Sequence, residues 1–252
     1  MEWRDEGIII GLRKHGETSV IVELMTREHG RHMGMVKGGR SRRMQPALQP
    51  GNSVEITWRA RLEEHMGVYA LEPVRLRAAD IMASHLALAG INLIGELLRL
   101  LPERDPHEGL YDMVSAMAEH LGEGDVAPAL MVRFELAILS ELGFQLDLSA
   151  CAATGATQEL VYVSPKSGRA VSRKAGEAYK DRLLPLPSFL RHFSMSDTPS
   201  RAEVADGFRL TGYFLERDVL EARGTGENFT RRTYLAAANV IERDLTGRRE
   251  QG

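Results

Sequence analysis

Cysteine is almost missing from this chain: Cys151 is the only one in 252 residues. A single thiol excludes an internal disulfide and fits a reducing compartment. Aromatic residues are scarce, at 6%, and Met1 to Asp80 contains no phenylalanine. That stretch is poor in the flat side chains on which nucleic-acid bases stack. No apolar run approaches the roughly 20 residues of a membrane span, and the opening MEWRDEG has no basic start before an apolar core. The expectation is a cytoplasmic protein with no membrane partner. The formal net charge of −3 excludes a polycation. Catalytic signatures are missing too. No GxxxxGK[ST], GxGxxG, HExxH or GxSxG pattern occurs. Gly207 and Gly212 have phosphate-loop spacing, but Tyr213 stands where the lysine belongs, so they read as helix-packing positions. Glu63, Glu64 and His65 are consecutive and point different ways on a strand or turn. Cys151 lies between Ala150 and Ala152, with no His or Lys within ten residues to activate it. Nothing supports an enzyme or implies a cofactor.

What is present is the balance of an ordinary globular chain, with 43% hydrophobic and 27% charged residues. The first eighty residues read as strands. A run from Ile8 to Lys14 meets the polar turn His15-Gly16-Glu17-Thr18. Ser19 to Thr26 then alternates, with Val20, Val22 and Leu24 on one face. Arg31 to Lys37 forms a third strand, broken by Gly38-Gly39. Ser53 to Arg61 is the clearest, with Val54, Ile56, Trp58 and Ala60 on one side. His65 to Leu71 supplies a fifth. Five short strands without interleaved helices predict a small closed barrel, either of oligonucleotide-binding (OB) type or SH3-like. Trp58 shares the apolar face and is expected in the core; Trp3 and Tyr69 are open as stacking platforms.

Beyond Asp80 the period becomes helical. Helices are expected from Ile81 to Leu101, around Leu110 to Leu121, and from Pro128 to Leu142 with Gly143 as its stop. A short helix is expected over Pro187 to Phe193. Ser200-Arg201-Ala202-Glu203 reads as a capping box opening a helix to about Ala222, and a last helix covers Thr230 to Leu245. The fold class is therefore α+β: a five-stranded OB barrel over residues 1–80, then an all-α domain over 81–252 with a β-hairpin excursion at about 149–176.

Charge is unevenly spread. From Arg27 to Arg43 there are six cations (Arg27, Arg31, Lys37, Arg40, Arg42, Arg43) against Glu28 alone. Glycines let a backbone approach phosphate, and arginine forks hold phosphate oxygens in pairs. Lys37, Arg40, Arg42 and Arg43 are the candidate DNA-binding residues, with Arg59 and Arg61 as additions from the polar face of the next strand. A merely solvated loop is the competing reading.

The stretch GETSVIVELMTREHGRHMGMVKGGRSRRMQPALQPG, Gly16 to Gly51, resembles the N-terminal signature of the RecO recombination mediators: a Gly-Glu turn, a Thr-to-Gly corner, a basic glycine pair and an ALQP element. The resemblance resumes at ELGFQLDLSACAATGA and LVYVSPKSGRAVSR. It implies an OB barrel and a helical domain in a DNA repair protein. Such a protein binds single- and double-stranded DNA, anneals complementary strands and, with RecR, helps RecA load where single-stranded-DNA-binding protein (SSB) coats the strand. RecF stands as a further partner. The resemblance also implies a helical-domain site for the acidic, apolar SSB tail, for which Leu130, Arg133 and Phe134 are the candidates. An RNA-binding OB protein and a non-enzymatic scaffold are the alternatives. Many members carry a four-cysteine zinc module where this chain has Cys151, Thr154, Ser172 and Ala175. With one soft ligand left, the expectation is a hairpin without zinc.

Overall fold

The computed structural model describes residues 1–191, 198–224 and 229–240. The chain forms two compact units, Met1–Glu123 and Gly124–Gly252.

In the first unit, strands β1 (Glu2–His15), β2 (Ser19–Thr26), β3 (Arg31–Val36), β4 (Ser53–Arg59) and β5 (Val68–Arg75) close into a barrel in the order β1-β2-β3-β5-β4. β1 is long enough to pair with β4 through its first half and with β2 through its second. β3 meets β5 in parallel at Met35 and Val68. This is the OB arrangement, which decides against the SH3-like alternative. The core contains Ile9, Val22, Leu24, Val54, Ile56 and Trp58. The indole of Trp58 is 1% exposed and donates to the Met66 carbonyl at 2.8 Å, as its place in the strand pattern predicts.

Alternation alone predicts that one face of β2 is wet. Instead Ile21, Glu23 and Met25 are buried as well. The cause is α2 (His85–Leu98), which packs on β1. Just past its end, Arg99 donates to Glu23 at 2.7 and 2.9 Å and to the Ile10 carbonyl at 3.3 Å. Gly11 leaves room for this pair, since a Cβ there would stand 2.5 Å from the Arg99 Nη2 and 2.7 Å from Glu23 Oε2. The helix expected over Ile81 to Leu101 is in fact two. Ser84 is extended (ψ 119°) and its hydroxyl accepts from the Ala87 N–H, which ends α1 (Ala78–Ala83) and caps α2. α3 (Glu108–His120) completes the unit.

The second unit is built on α4 (Ala127–Glu141), with Pro128 in its first turn, and α6 (Arg201–Phe214). α6 opens with both bonds of the Ser200–Glu203 capping box and runs into a π-helical turn, Leu215–Leu220. Gly207 lets α6 approach α4 closely, because a Cβ would come within 2.8 Å of Val132. The hairpin forms as expected, β6 (Leu160–Val163) with β7 (Ala170–Ser172). The short α5 (Arg173–Gly176) follows. β8 (Leu184–Pro185) adds a third strand on the other edge of β6. From Pro187 the described residues form only a 3₁₀ turn, Ser188–Leu190; His192 and Phe193 lie outside them. α7 spans Phe229–Ala237, and the expected continuation to Leu245 also lies outside the described residues.

Candidate nucleic-acid interface

The chain from Lys37 to Gln49 is a folded plug made of successive tight turns. The Arg40 N–H donates to the Thr18 carbonyl at 3.0 Å, Ser41 to Gly38 at 3.0 Å and Leu48 to Met44 at 2.9 Å. Ala47 and Leu48, the centre of the ALQP element, are buried, and Leu48 belongs to the barrel core. Asn52, fully buried, secures the far end: its amide donates to the Pro46 and Ala47 carbonyls at 2.9 and 3.0 Å, while its oxygen accepts from the N–H groups of Arg77 and Ala78. The two glycines have different work. Gly38 has φ +67° with open space around it, whereas Gly39 is buried and a Cβ would press on Leu48 at 3.0 Å. A rigid base thus carries an exposed cationic rim.

The cations of this rim are not equivalent. Lys37, Arg42 and Arg43 are exposed and have no ion pair among the described residues. Arg40 is also exposed, but its Nη1 donates to the Gly16 and Glu17 carbonyls at 3.0 and 2.7 Å, tying the plug to the β1–β2 turn. Arg13 and Lys14, at the end of β1, bring two further exposed charges with no ion pair among the described residues. The strand register places Lys14 beside this loop, since Lys14 pairs with Val20 and Val20 with Val36, and the charge count from Arg27 onward missed both residues. Glu17 is the acidic residue of the adjoining turn.

Two of the six cations counted from composition are spent elsewhere. Arg27 pairs with Asp112 at 2.9 Å and lies 4.6 Å from the centre of the Tyr111 ring. Burial, followed by the charge of Glu6, pushes the Tyr111 hydroxyl up to about 12. Arg31 pairs with Glu23 at 2.9 Å. Arg59 stands two strands across from β3, since it pairs with Val68 and Val68 with Met35. Arg59 pairs in register with Glu2 and forks onto its carboxylate at 2.9 and 3.0 Å. The Glu2 carboxyl is held below its usual range by this arginine.

The aromatic residues form a closed stack rather than an open platform. Trp3 stacks on His29 at 3.9 Å and on Trp58 at 5.3 Å, and His32 meets its edge at 5.0 Å. Tyr69 is buried, its hydroxyl 2.6 Å from His32 Nδ1.

In the second unit, Phe134 is 0% exposed and belongs to the core. Leu130 and Arg133 are half-buried. Arg133 donates to the Phe189 carbonyl at 2.7 Å, its guanidinium carbon lies 5.8 Å from the Phe189 ring centre, and burial lowers its pKa.

The knuckle-like segment has the outline of a metal site but not its chemistry. Cys151 Sγ is buried and accepts from the Ser172 N–H at 3.2 Å. Burial pushes the thiol up, but hydrogen bonds from Ser172 and Thr154 outweigh it and bring it down to about 6. The first three of the four positions therefore converge, yet two of them offer neutral hydroxyls and Ala175 offers nothing. These residues do not fit tetrahedral zinc, and no cluster of three His, Cys, Asp or Glu residues suited to a metal occurs among the described residues.

Comparison with known proteins gives the kinship. The family model described as Recombination protein O N terminal matches residues 1–77, and that described as Recombination protein O C terminal matches residues 83–225. The chain belongs to the RecO family. The DNA repair protein RecO of Methylocella silvestris is 59% identical over 236 residues, covering 94% of this chain and 95% of that protein. That of Beijerinckia indica subsp. indica is 58% identical over 236 residues, covering 94% of each. That of Bradyrhizobium sp. strain ORS 278 is 53% identical over 246 residues, covering 98% and 99%. RecO membership supports a role in DNA repair. No helix among the described residues is long and apolar enough to cross a membrane.

Proposed function

We propose that this RecO-family chain binds single- and double-stranded DNA through Lys37, Arg42 and Arg43, with Arg13 and Lys14 beside them, and anneals complementary strands. The observation that carries the reading is a set of exposed, unpaired cations on a rigid plug at one end of an OB barrel. Arg40 sets the plug against the β1–β2 turn and adds charge. Arg59, paired with Glu2, and Arg61 add a weaker contact.

Annealing requires no bond chemistry. Two strands repel through their phosphates, and a cationic surface that screens both lowers the cost of encounter. Contacts made mainly to backbone let the strands find register while bound. In the cell the protein works in the cytoplasm with the nucleoid, as a mediator rather than an enzyme. With RecR, and with RecF as a further partner, it helps RecA load onto SSB-covered strands. The acidic, apolar SSB tail docks on the second unit, with Leu130 and Arg133 at the lip and Phe134 as support beneath.

The test is fluorescence-quenched annealing of complementary oligonucleotides, with RNA of the same sequence as competitor and a labelled strand with magnesium to detect cleavage. Acceleration that RNA competes only weakly, with strands left intact, is expected. Equal or stronger binding of RNA would favour an RNA-binding function instead, and cleavage would overturn the non-enzymatic reading.

A further inference from the structure

A hollow of about 370 Å³ opens in the rim between the end of β1 and the plug. Its buried lining is apolar, from Val20 and Leu48. Leu12, an apolar side chain left 36% exposed near the end of a strand, also lines it. So does Gln45, whose side-chain amide has no hydrogen-bond partner among the described residues and carries both a donor and an acceptor. Lys14 and Arg40 complete the lining with two exposed cations. The Arg40 Nη1 is fixed by two carbonyls, so the guanidinium is held in place while its Nε and Nη2 have no partner among the described residues.

We propose that this hollow receives one unstacked nucleobase of a bound single strand. The inference rests on the DNA-binding reading above and adds to it a contact that reads the base rather than the backbone. The apolar lining takes the base, an amide with both hydrogen-bonding roles meets its edge, and the two cations meet the flanking phosphates. The volume lies at the small end of ligand pockets, in keeping with a single base. Gly39, Arg40 and Gln45 line the hollow and belong to the same plug as Lys37, Arg42 and Arg43, so a polyanion that follows the rim passes over it. A short acidic peptide with an apolar end has similar local chemistry, but it has no use for cations extending along the rim.

The experiment measures affinity of the full chain for two oligothymidylates of equal length, one intact and one with abasic sites along its central part, by fluorescence anisotropy. Both carry the same phosphates. Wild type should prefer the intact strand by about fivefold, what burying about 40 Å² of apolar base surface supplies. Leu12→Ala with Gln45→Ala should reduce that preference to near unity while affinity for the abasic strand stays unchanged. Both positions are exposed, so the fold is expected to survive, and a circular dichroism melt checks this. Gln45→Ala alone should lose part of the preference. Equal affinity of wild type for the two strands would overturn the base pocket while leaving DNA binding intact. Failure to bind either strand at low salt would instead overturn the DNA-binding reading. Displacement of the strand by an acidic, apolar-ended peptide, with no preference for intact over abasic DNA, would assign the hollow to a peptide and also overturn the proposal.

Discussion

Replacing His32 with asparagine should remove a pH dependence of barrel stability. His32 is buried against Trp3, Trp58 and Tyr69. Burial first, then the nearby charges of Arg104 and His29, lower its pKa from 6.5 to about 4, against smaller opposing pulls from a hydrogen bond with the Met33 backbone and from Asp5. The folded barrel therefore holds the imidazole neutral while the unfolded chain protonates it. Between the two values the unfolded state binds the extra proton, so stability is complete above the unfolded pKa and falls as pH drops below it. Each tenfold difference in proton affinity between the two states is worth about 1.36 kcal/mol, so wild type should lose about 2 kcal/mol between roughly pH 7 and 5. That window lies above the range in which carboxylates such as Glu2 and Glu119, held low by arginines, contribute. The assay is urea unfolding followed by tryptophan fluorescence. It reports the barrel directly, because Trp3 and Trp58 are the chain's two tryptophans and both pack on His32. His32→Asn keeps a polar neighbour for the Tyr69 hydroxyl but cannot titrate, so it should be less stable throughout and flatter in pH. Parallel pH profiles for the two proteins would mean instead that the ring protonates as easily folded as unfolded.

The second unit holds a buried ion pair whose rupture should be severe. Glu135, fully buried, accepts from Arg231 at 2.7 and 3.1 Å and from the Thr211 hydroxyl. Glu135→Ala should cost about 3–5 kcal/mol in thermal or urea unfolding by leaving the guanidinium buried without its counter-charge, and Glu135→Leu with Arg231→Met should recover much of it. Cys151→Ser should cost less than about 1 kcal/mol, because the hydroxyl can still accept from the Ser172 N–H. Elemental analysis should find no stoichiometric zinc; one zinc per chain would show that ligands beyond Cys151, Thr154, Ser172 and Ala175 complete the site.

The barrel was legible because β2 and β4 alternate and turn residues divide them. β1 was harder to delimit: Glu2 to Gly7 carry no apolar run, and only pairing with β4 keeps them extended. The burial of Glu23 was invisible locally, because Arg99 lies 76 residues away. The same non-locality governs the candidate site. Composition showed where cations cluster, but not that Arg27 finds Asp112 at a separation of 85 residues or Arg59 finds Glu2 at 57. The hairpin at Leu160 to Ser172 was readable from its turn, with Gly168 at φ +66°. β8, two residues long, carries no periodic signal of its own.

On the DNA-binding proposal, phosphate is gripped by the unpaired cations of the plug and not by basic residues in general. This is tested most directly by the salt dependence of single-stranded DNA binding for wild type, Lys37→Ala/Arg42→Ala/Arg43→Ala, and Arg59→Ala. Removing three phosphate contacts should lower the slope of log K against log salt by about 2. Removing Arg59, already neutralised by Glu2, should leave it nearly unchanged. An unaltered slope for the triple variant, or an equal loss for Arg59→Ala, would show that phosphate is held elsewhere.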